Sequence, residues 1–437
     1  MNEKKMAILG AGLTGLCVRY FLSQKGVDVE TLEKNSECGG LCRSMERDGF
    51  TFDYGGSHII FSKDEEVLQF MTGLLGDNKI KNKRNAKILF KDRYVKYPFE
   101  NGLSDLPKQD NFECLYYFIQ LLIRKERSMA NPKNLKEWCY WTFGKGIAEK
   151  YLIPYNEKIW NFPSEKMGLE WVERIPNPPP KDIIKSSLGI ETEGYVHQLY
   201  FYYPKKGGIQ SLIHSLIERG TGKISTNFKV SNIKREGKKW IVSDGNSEKS
   251  YDRIISTIPL PDLVHALNDV PKAVLNAVDN LKYNSIITVM LGLNRKVTDI
   301  SWLYIPEKDI LFHRVSFPSN YSPYVTPNGK SSVLAEITCN VGDEIWKMGN
   351  QELIEQTIED LSKLKILCKS DVCFEAVKRL KYAYVVNDLE YQNNIETVRN
   401  YVEGIGIDLV GRFSEFEYLN MDACIRHAMD FVKESLP

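Results

Sequence analysis

The period of the hydrophobic positions changes several times along this chain, and each change marks an element. Residues 6–10 (MAILG) form a short apolar run that reads as a strand. Leu13, Leu16, Cys17, Tyr20 and Phe21 then recur at helical spacing up to Gly26, and residues 27–33 (VDVETLE) read as a second strand. From about 112 to 172 the pattern is helical and aromatic, from FECLYYFIQLL through EWCYWTFGKGIAEKYLIPYNEKIW, and it stops at the proline cluster Pro176–Pro180. This stretch reads as a helical insertion. Strand patterns return at 198–203, 240–243, 252–258, 285–293 and 332–338, separated by Gly, Pro and Asn turns, and 319–330 reads as an exposed loop.

This alternation predicts an α/β protein. A Rossmann-like βαβ domain is assembled from residues 1–83, 204–270 and 396–437; residues 84–203 form a lobe with the helical insertion, and 271–395 an antiparallel-sheet lobe. With 437 residues, 43% of them hydrophobic, the chain is long enough to bury a large core in two or three lobes. Composition then narrows the function. The 58 basic residues balance 57 acids, and a net charge of +1 offers no electrostatic attraction for nucleic acid or an anionic membrane surface. Nine cysteines lack framework spacing, and Cys38 and Cys42 are not a CxxC pair, so reduced thiols in a cytoplasm are expected. The first apolar run is already a strand, leaving no room for a secretion signal. The most apolar helical segment, Cys114–Ile123, is too short to span a bilayer.

The segment GAGLTGL places Gly10, Gly12 and Gly15 between the first strand and the first helix, with Glu33 at the end of the next strand. Gly10 permits the tight turn, Gly12 admits a pyrophosphate to the backbone, and Gly15 lets helix and strand pack closely, while Glu33 can accept hydrogen bonds from ribose hydroxyls. Beyond the acid, ECGGLCRS supplies Gly39, Gly40 and Arg43, and DYGGSHIIF supplies Gly55, Gly56 and His58. Arg43 can pair with a second phosphate, and Gly55 and Gly56 would let backbone lie against a flat ring. Together these segments resemble the flavin amine oxidase, protoporphyrinogen oxidase and UDP-galactopyranose mutase superfamily, which implies FAD. On that resemblance Lys34, Val230 in NFKVSNI, and Asn420 and Met421 also belong to the cofactor site.

Within the superfamily, four further segments resemble UDP-galactopyranose mutases. VKYPFEN carries Tyr97 and Phe99, PYNEKIW carries Asn156 and Trp160, WLYIPEKDILFHRVSFPSNYSP carries Tyr304 and Arg314, and GRFSEFEYLNMD carries Arg412 and Tyr418; Arg84 and Tyr384 match with looser flanks. The resemblance implies a nucleotide-sugar substrate, most simply UDP-linked, whose pyranose and furanose rings interconvert. Arg314 and Arg412 would hold the diphosphate, and His58 would lie beside the flavin. Reduced flavin N5 would be the nucleophile at the anomeric carbon with no net redox change, the electrons coming from NAD(P)H or a separate reductase. Planar guanidinium forks suit this role because they bind phosphate oxygens with paired, charge-assisted bonds.

Two departures bear on specificity. Ser57 is inserted before His58, where it could displace the ring, and Glu100 stands where the family segment has glutamine, replacing an amide with an acid. The alternative is an oxidoreductase of the amine oxidase or protoporphyrinogen oxidase type, which shares every N-terminal flavin motif. A flavin-bound protein without turnover is a third reading, disfavoured by Arg314, Trp160 and Tyr418 in separate segments.

Overall fold

The computed structural model describes residues 5–125, 131–172, 175–192 and 199–435. A five-stranded parallel sheet joins Ile407–Leu409, Arg253–Ser256, Met6–Leu9, Val29–Leu32 and Ile224–Ser225 in that order. Every residue of Met6–Leu9 and Val29–Leu32 is buried, as expected of parallel strands covered on both faces. One cover packs Leu16, Ile213 and Ile425 into a core with Ile8; the other packs Trp240, Val242 and Leu263 against Leu9 and Ile254. Strands from near residues 6, 254 and 407 meet in one sheet, so the nucleotide lobe is discontinuous in sequence.

Gly10 explains why the first turn is so tight. Its φ is +96°, and a Cβ on Gly15 would lie 2.0 Å from the Gly10 carbonyl oxygen, so the helix Leu13–Gln24 can sit this close to the strand only with glycine at 15.

The second sheet has seven strands in the order Val372–Val386, Lys282–Leu293, Ser331–Cys339, Arg314–Ser316, Trp302–Tyr304, Ala86–Phe90 and Arg93–Lys96. It is mixed and not purely antiparallel, because Trp302–Tyr304 runs parallel to Ala86–Phe90. Ser331–Cys339 is buried at all nine positions, lying between neighbouring strands and beneath a core that includes Leu353 and Ile358 of the helix Asn350–Lys363. The helical insertion comprises Lys108–Lys125, Leu135–Ile147 and Ile153–Trp160, the last two joined by a π-helical turn; residues 126–130 of the expected helical run lie outside the described residues. Of the expected strand at 198–203, Gln198 lies outside the described residues and Tyr200–Pro204 pairs with Lys79–Lys83. The segment 319–330 is not simply an exposed loop. Tyr321 and Val325 are buried in an aromatic cluster with Phe201, Tyr203 and Trp302, which apolar burial favours over exposure.

Candidate active site

A cavity of about 1540 Å³ opens beyond the carboxyl ends of the parallel strands, bounded by the glycine turns, the mixed sheet and the helical insertion. Its position follows the rule for open α/β sheets, where ligands bind past the strand ends.

On the sheet side the glycines form a cradle. Gly12 caps the first helix with no side-chain hydrogen bond, leaving the helix N-terminus uncapped. A Cβ on Gly12 would meet only Gly40 Cα, at 4.0 Å, so it would project into open space. The Gly39 N–H donates to the Ala11 carbonyl at 2.8 Å and ties the second glycine loop to the first. Glu33 is buried and accepts from Ala11 N at 2.9 Å and from Asn35 N and Nδ2 at 2.9 and 2.7 Å, so it holds both loops as well as facing the cavity. Arg43 pairs with Glu37 and lies over the Tyr54 ring at 5.3 Å, while its buried Nε has no partner. An open cradle, an uncapped helix end and an unsatisfied guanidinium N–H fit a dinucleotide diphosphate. Lys34, Gly40, Val230, Asn420 and Met421 line the same arm.

Gly55 and Gly56 line the cavity, and protein neighbours by themselves already require that neither carries a side chain. A Cβ on Gly55 would fall 2.1 Å from the Leu41 carbonyl oxygen, and one on Gly56 (φ +103°) would fall 3.0 Å from Glu336 Oε2.

Glu336 organises the opposite wall. It is fully buried on Ser331–Cys339 and accepts from Arg314 Nε at 2.8 Å and Nη2 at 2.5 Å across the adjacent strand. It also accepts from Ser57 N at 3.1 Å, while Ser57 Oγ lies 2.9 Å from the Tyr321 hydroxyl. Thus the inserted Ser57 is anchored, and His58 still lines the cavity. His58 Nδ1 lies 2.8 Å from the Gly56 carbonyl, which can only accept, so Nδ1 carries the proton and Nε2 is an acceptor. Burial pushes its pKa down to about 4, with Arg314 and Arg412 adding to the effect against the Gly56 bond, so the ring is neutral near pH 7.

Arg412 follows Gly411 after the last parallel strand. Its Nη1 and Nη2 donate to the carbonyls of Leu419 and Ala383 at 2.7 and 2.6 Å, and it lies over the rings of Tyr418 and Tyr384 at 4.6 and 5.4 Å. Among the described residues no ion pair joins it to an acid; nearby Glu415 instead accepts from His427 and Gly411. Tyr97 and Tyr304 (ring centroids 4.8 Å apart), Tyr155, Tyr384 and Tyr418 complete this wall. Burial raises the pKa of Tyr97, Tyr155 and Tyr384, keeping these phenols protonated as hydrogen-bond donors.

Several expected site residues lie elsewhere. Phe99 is fully buried in the helical lobe, behind the lining, where it stacks on Tyr151 at 4.8 Å. Trp160 donates through Nε1 to Asn156 Oδ1 at 3.1 Å and packs edge-on beneath Tyr384 and Tyr418, as a support and not as lining. Asn156 reaches the lining, and its amide accepts from Trp160 and donates one N–H to the Leu152 carbonyl at 2.7 Å. Arg84 lies over Tyr97 at 4.6 Å and Trp302 at 5.2 Å, behind the wall, and Gly15 faces Gly10 within the fold. Sequence reasoning missed Glu336, Tyr155, Trp171 and Trp302. For Glu336 a signal existed, since a lone acid in the apolar run SSVLAEITC needs a partner once the strand is buried.

Residues 8–74 match the family described as NAD(P)-binding Rossmann-like domain, and residues 184–396 match flavin containing amine oxidoreductase. A 4,4'-diapophytoene desaturase (4,4'-diapolycopene-forming) from Methylomonas sp is 42% identical over 82% of this chain and 78% of its own length. Coproporphyrinogen III oxidase from Staphylococcus aureus (strain NCTC 8325 / PS 47) is 22% identical over 97% of both chains. A crystal structure of reduced UDP-galactopyranose mutase superposes with a TM-score of 0.91 at 27% identity, covering 99% of this chain and 95% of that one. A putative protoporphyrinogen oxidase from Exiguobacterium sp. 255-15 shares the fold, with a TM-score of 0.78 at 19% identity over 100% and 99% of the two chains.

The chain belongs to the flavin amine oxidase superfamily, and it is an FAD-dependent enzyme of that class. Among the described residues no helix is long and apolar enough to cross a membrane.

Proposed function

We propose that this enzyme is a nucleotide-sugar mutase similar to UDP-galactopyranose mutase, interconverting pyranose and furanose forms of a UDP-linked sugar. The observation that carries this reading is the wall opposite the glycine cradle, where two guanidinium groups and five phenols converge. A polyene carries no charge to compensate Arg412, which has no acid partner among the described residues, whereas a diphosphate does.

Glu336 occupies Nε and Nη2 of Arg314, which leaves Nη1 as the donor group for a phosphate oxygen. Arg412 is held by carbonyls and not by a carboxylate, so no side-chain acid among the described residues offsets it. The phenols donate to the remaining phosphate oxygens, with Trp160 packed behind Tyr418 and Trp171 edge-on to it in the lining. Neutral His58 presents Nε2 as an acceptor. Bound and reduced FAD would supply the N5 electron pair at the anomeric carbon, with electrons from NAD(P)H or a separate reductase. Holding the diphosphate before and after the glycosidic bond breaks is then the main task of the side chains.

The second reading, an oxidase of the protoporphyrinogen oxidase type, is favoured by the coproporphyrinogen III oxidase relative, since arginine forks bind carboxylates as readily as phosphates. The two are separated by redox dependence. Dithionite-reduced enzyme incubated with UDP-galactopyranose and other nucleotide sugars should yield ring isomers by NMR, and oxidised enzyme should not. Hydrogen peroxide release with a porphyrinogen, and no sugar isomerisation in either redox state, would overturn the mutase reading.

A further inference from the structure

The helix Lys108–Lys125 carries apolar side chains on two opposite faces. On one, Cys114 and Phe118 are buried, and the helix is seated closely on Leu135–Ile147: a Cβ on Gly144 would lie 2.7 Å from the Tyr117 carbonyl oxygen, and one on Gly146 2.6 Å from Cys114 Cα. The outer face is apolar as well. Phe112, Tyr116, Ile119 and Ile123 recur at the four- and three-residue spacing of a single helix face, and all four are exposed, with the Phe112 and Tyr116 rings stacked at 5.9 Å. A surface helix ordinarily turns polar residues outward, so a continuous apolar row there calls for a partner.

The order of the row indicates which partner. Its spacing is four, three, four from either end, so a two-fold axis crossing the helix between Tyr117 and Phe118 maps the row onto itself. A second copy laid antiparallel across that axis sets Phe112 opposite the other chain's Ile123 and Tyr116 opposite its Ile119, an aromatic ring against a branched aliphatic at all four contacts. The flanks match too, because this symmetry brings like flanks together. Leu115 and Leu122 lie along one flank, and Gln109, Glu113 and Gln120 along the other. Leu188 and Ile190 extend the row beside Asn111, whose Nδ2 donates to the Ser187 carbonyl at 2.9 Å. The four row residues, Leu188 and Ile190 are between 39% and 65% exposed. At roughly 150–250 Å² for a whole aromatic side chain and about half that for an aliphatic one, they offer on the order of 400 Å² of apolar surface. A stable interface of about 800 Å² per partner, about 57% of it apolar, needs about 450 Å².

We infer that the outer face of Lys108–Lys125 is a docking surface for a second copy of this chain, packed antiparallel about a two-fold axis. The close seat against Gly144 and Gly146 holds the helix in place, so the row is presented without rearrangement. None of its residues lines the cavity, so pairing takes no lining residue from either chain and does not depend on which substrate the cavity accepts.

The test is sedimentation equilibrium of FAD-loaded enzyme at micromolar concentration, where the parent should sediment at twice the chain mass. Tyr116→Lys and Ile119→Glu each place two charges in the apolar seam, and each should raise the dimer dissociation constant at least about 100-fold. FAD content and circular dichroism should stay at parental values, because both positions are exposed in the single chain and neither lines the cavity. Mixing the two variants should recover most of the association. Antiparallel pairing then sets the substituted position 116 of one chain opposite the substituted position 119 of the other, and leaves the second Tyr116–Ile119 contact unaltered. A monomeric parent, a dimer indifferent to both variants, or no recovery on mixing would overturn the inference. A monomeric parent that pellets with phosphatidylglycerol vesicles, and loses that binding in both variants, would also overturn it and make this face a lipid-docking surface instead.

Discussion

Replacing Arg314 by Ala separates two consequences that the structure binds together. The guanidinium makes two hydrogen bonds to Glu336, whose side chain is 0% exposed, so the variant leaves an acid buried without its cation. Breaking a buried pair from one side typically costs about 3–5 kcal/mol. On the nucleotide-sugar reading, loss of a phosphate contact would also weaken transition-state and diphosphate binding by about 2–5 kcal/mol, roughly 30- to several-thousand-fold in kcat/KM. A second variant, Arg314→Met with Glu336→Leu, removes both charges. It should regain most of the stability, because hydrophobic replacements of buried pairs are close to neutral, less about 1 kcal/mol for the Ser57 N–H that loses its acceptor. Activity and UDP affinity should stay low in both. Urea unfolding followed by circular dichroism gives the stabilities, and fluorescence titration of reduced enzyme gives the affinities. The reasoning fails if Arg314→Ala unfolds within about 1 kcal/mol of the parent, or if the double variant binds UDP normally.

Gly12→Ala should fold normally, since its Cβ meets nothing nearer than 4.0 Å, yet lose FAD, as read by absorbance after gel filtration; Gly15→Ala should destabilise the fold itself, because its Cβ would lie 2.0 Å from the Gly10 carbonyl oxygen. Full FAD retention by Gly12→Ala would remove the cradle from the cofactor site. Asp53 accepts from Ser44 Oγ, Ile209 N and Tyr203 Oη, and burial still pushes its carboxyl up to about 6. An acid whose folded pKa is raised binds its proton more tightly when folded, so its contribution to stability falls as pH rises from about 4 to 6. Melting temperatures across that window should show the parent losing stability relative to Asp53→Asn; parallel curves would contradict the assignment.

The part of the site that was legible in the sequence is the part built from neighbours along the chain. Gly10, Gly12, Gly15 and Glu33 fall within one βαβ unit, where hydrophobic period and turn chemistry determine geometry without help from the rest of the molecule. The helical insertion and most of the later strands were legible for the same reason. Which aromatic side chains face the cavity was not. Phe99 and Glu100 are adjacent, yet one is core and the other lines the cavity; Trp160 supports Tyr418 instead of lining the cavity itself. An apolar ring gains from burial whether it covers core or pocket, so its identity carries no sign of its direction. Tertiary structure also decided the partners. Ser57 meets Tyr321 from 264 positions away, and Arg314 meets Glu336 because their strands lie side by side in the mixed sheet. Strand order is set by how the lobes pack and not by local preference, and it brings Ser57, Tyr321 and the Arg314–Glu336 pair together behind one wall of the cavity.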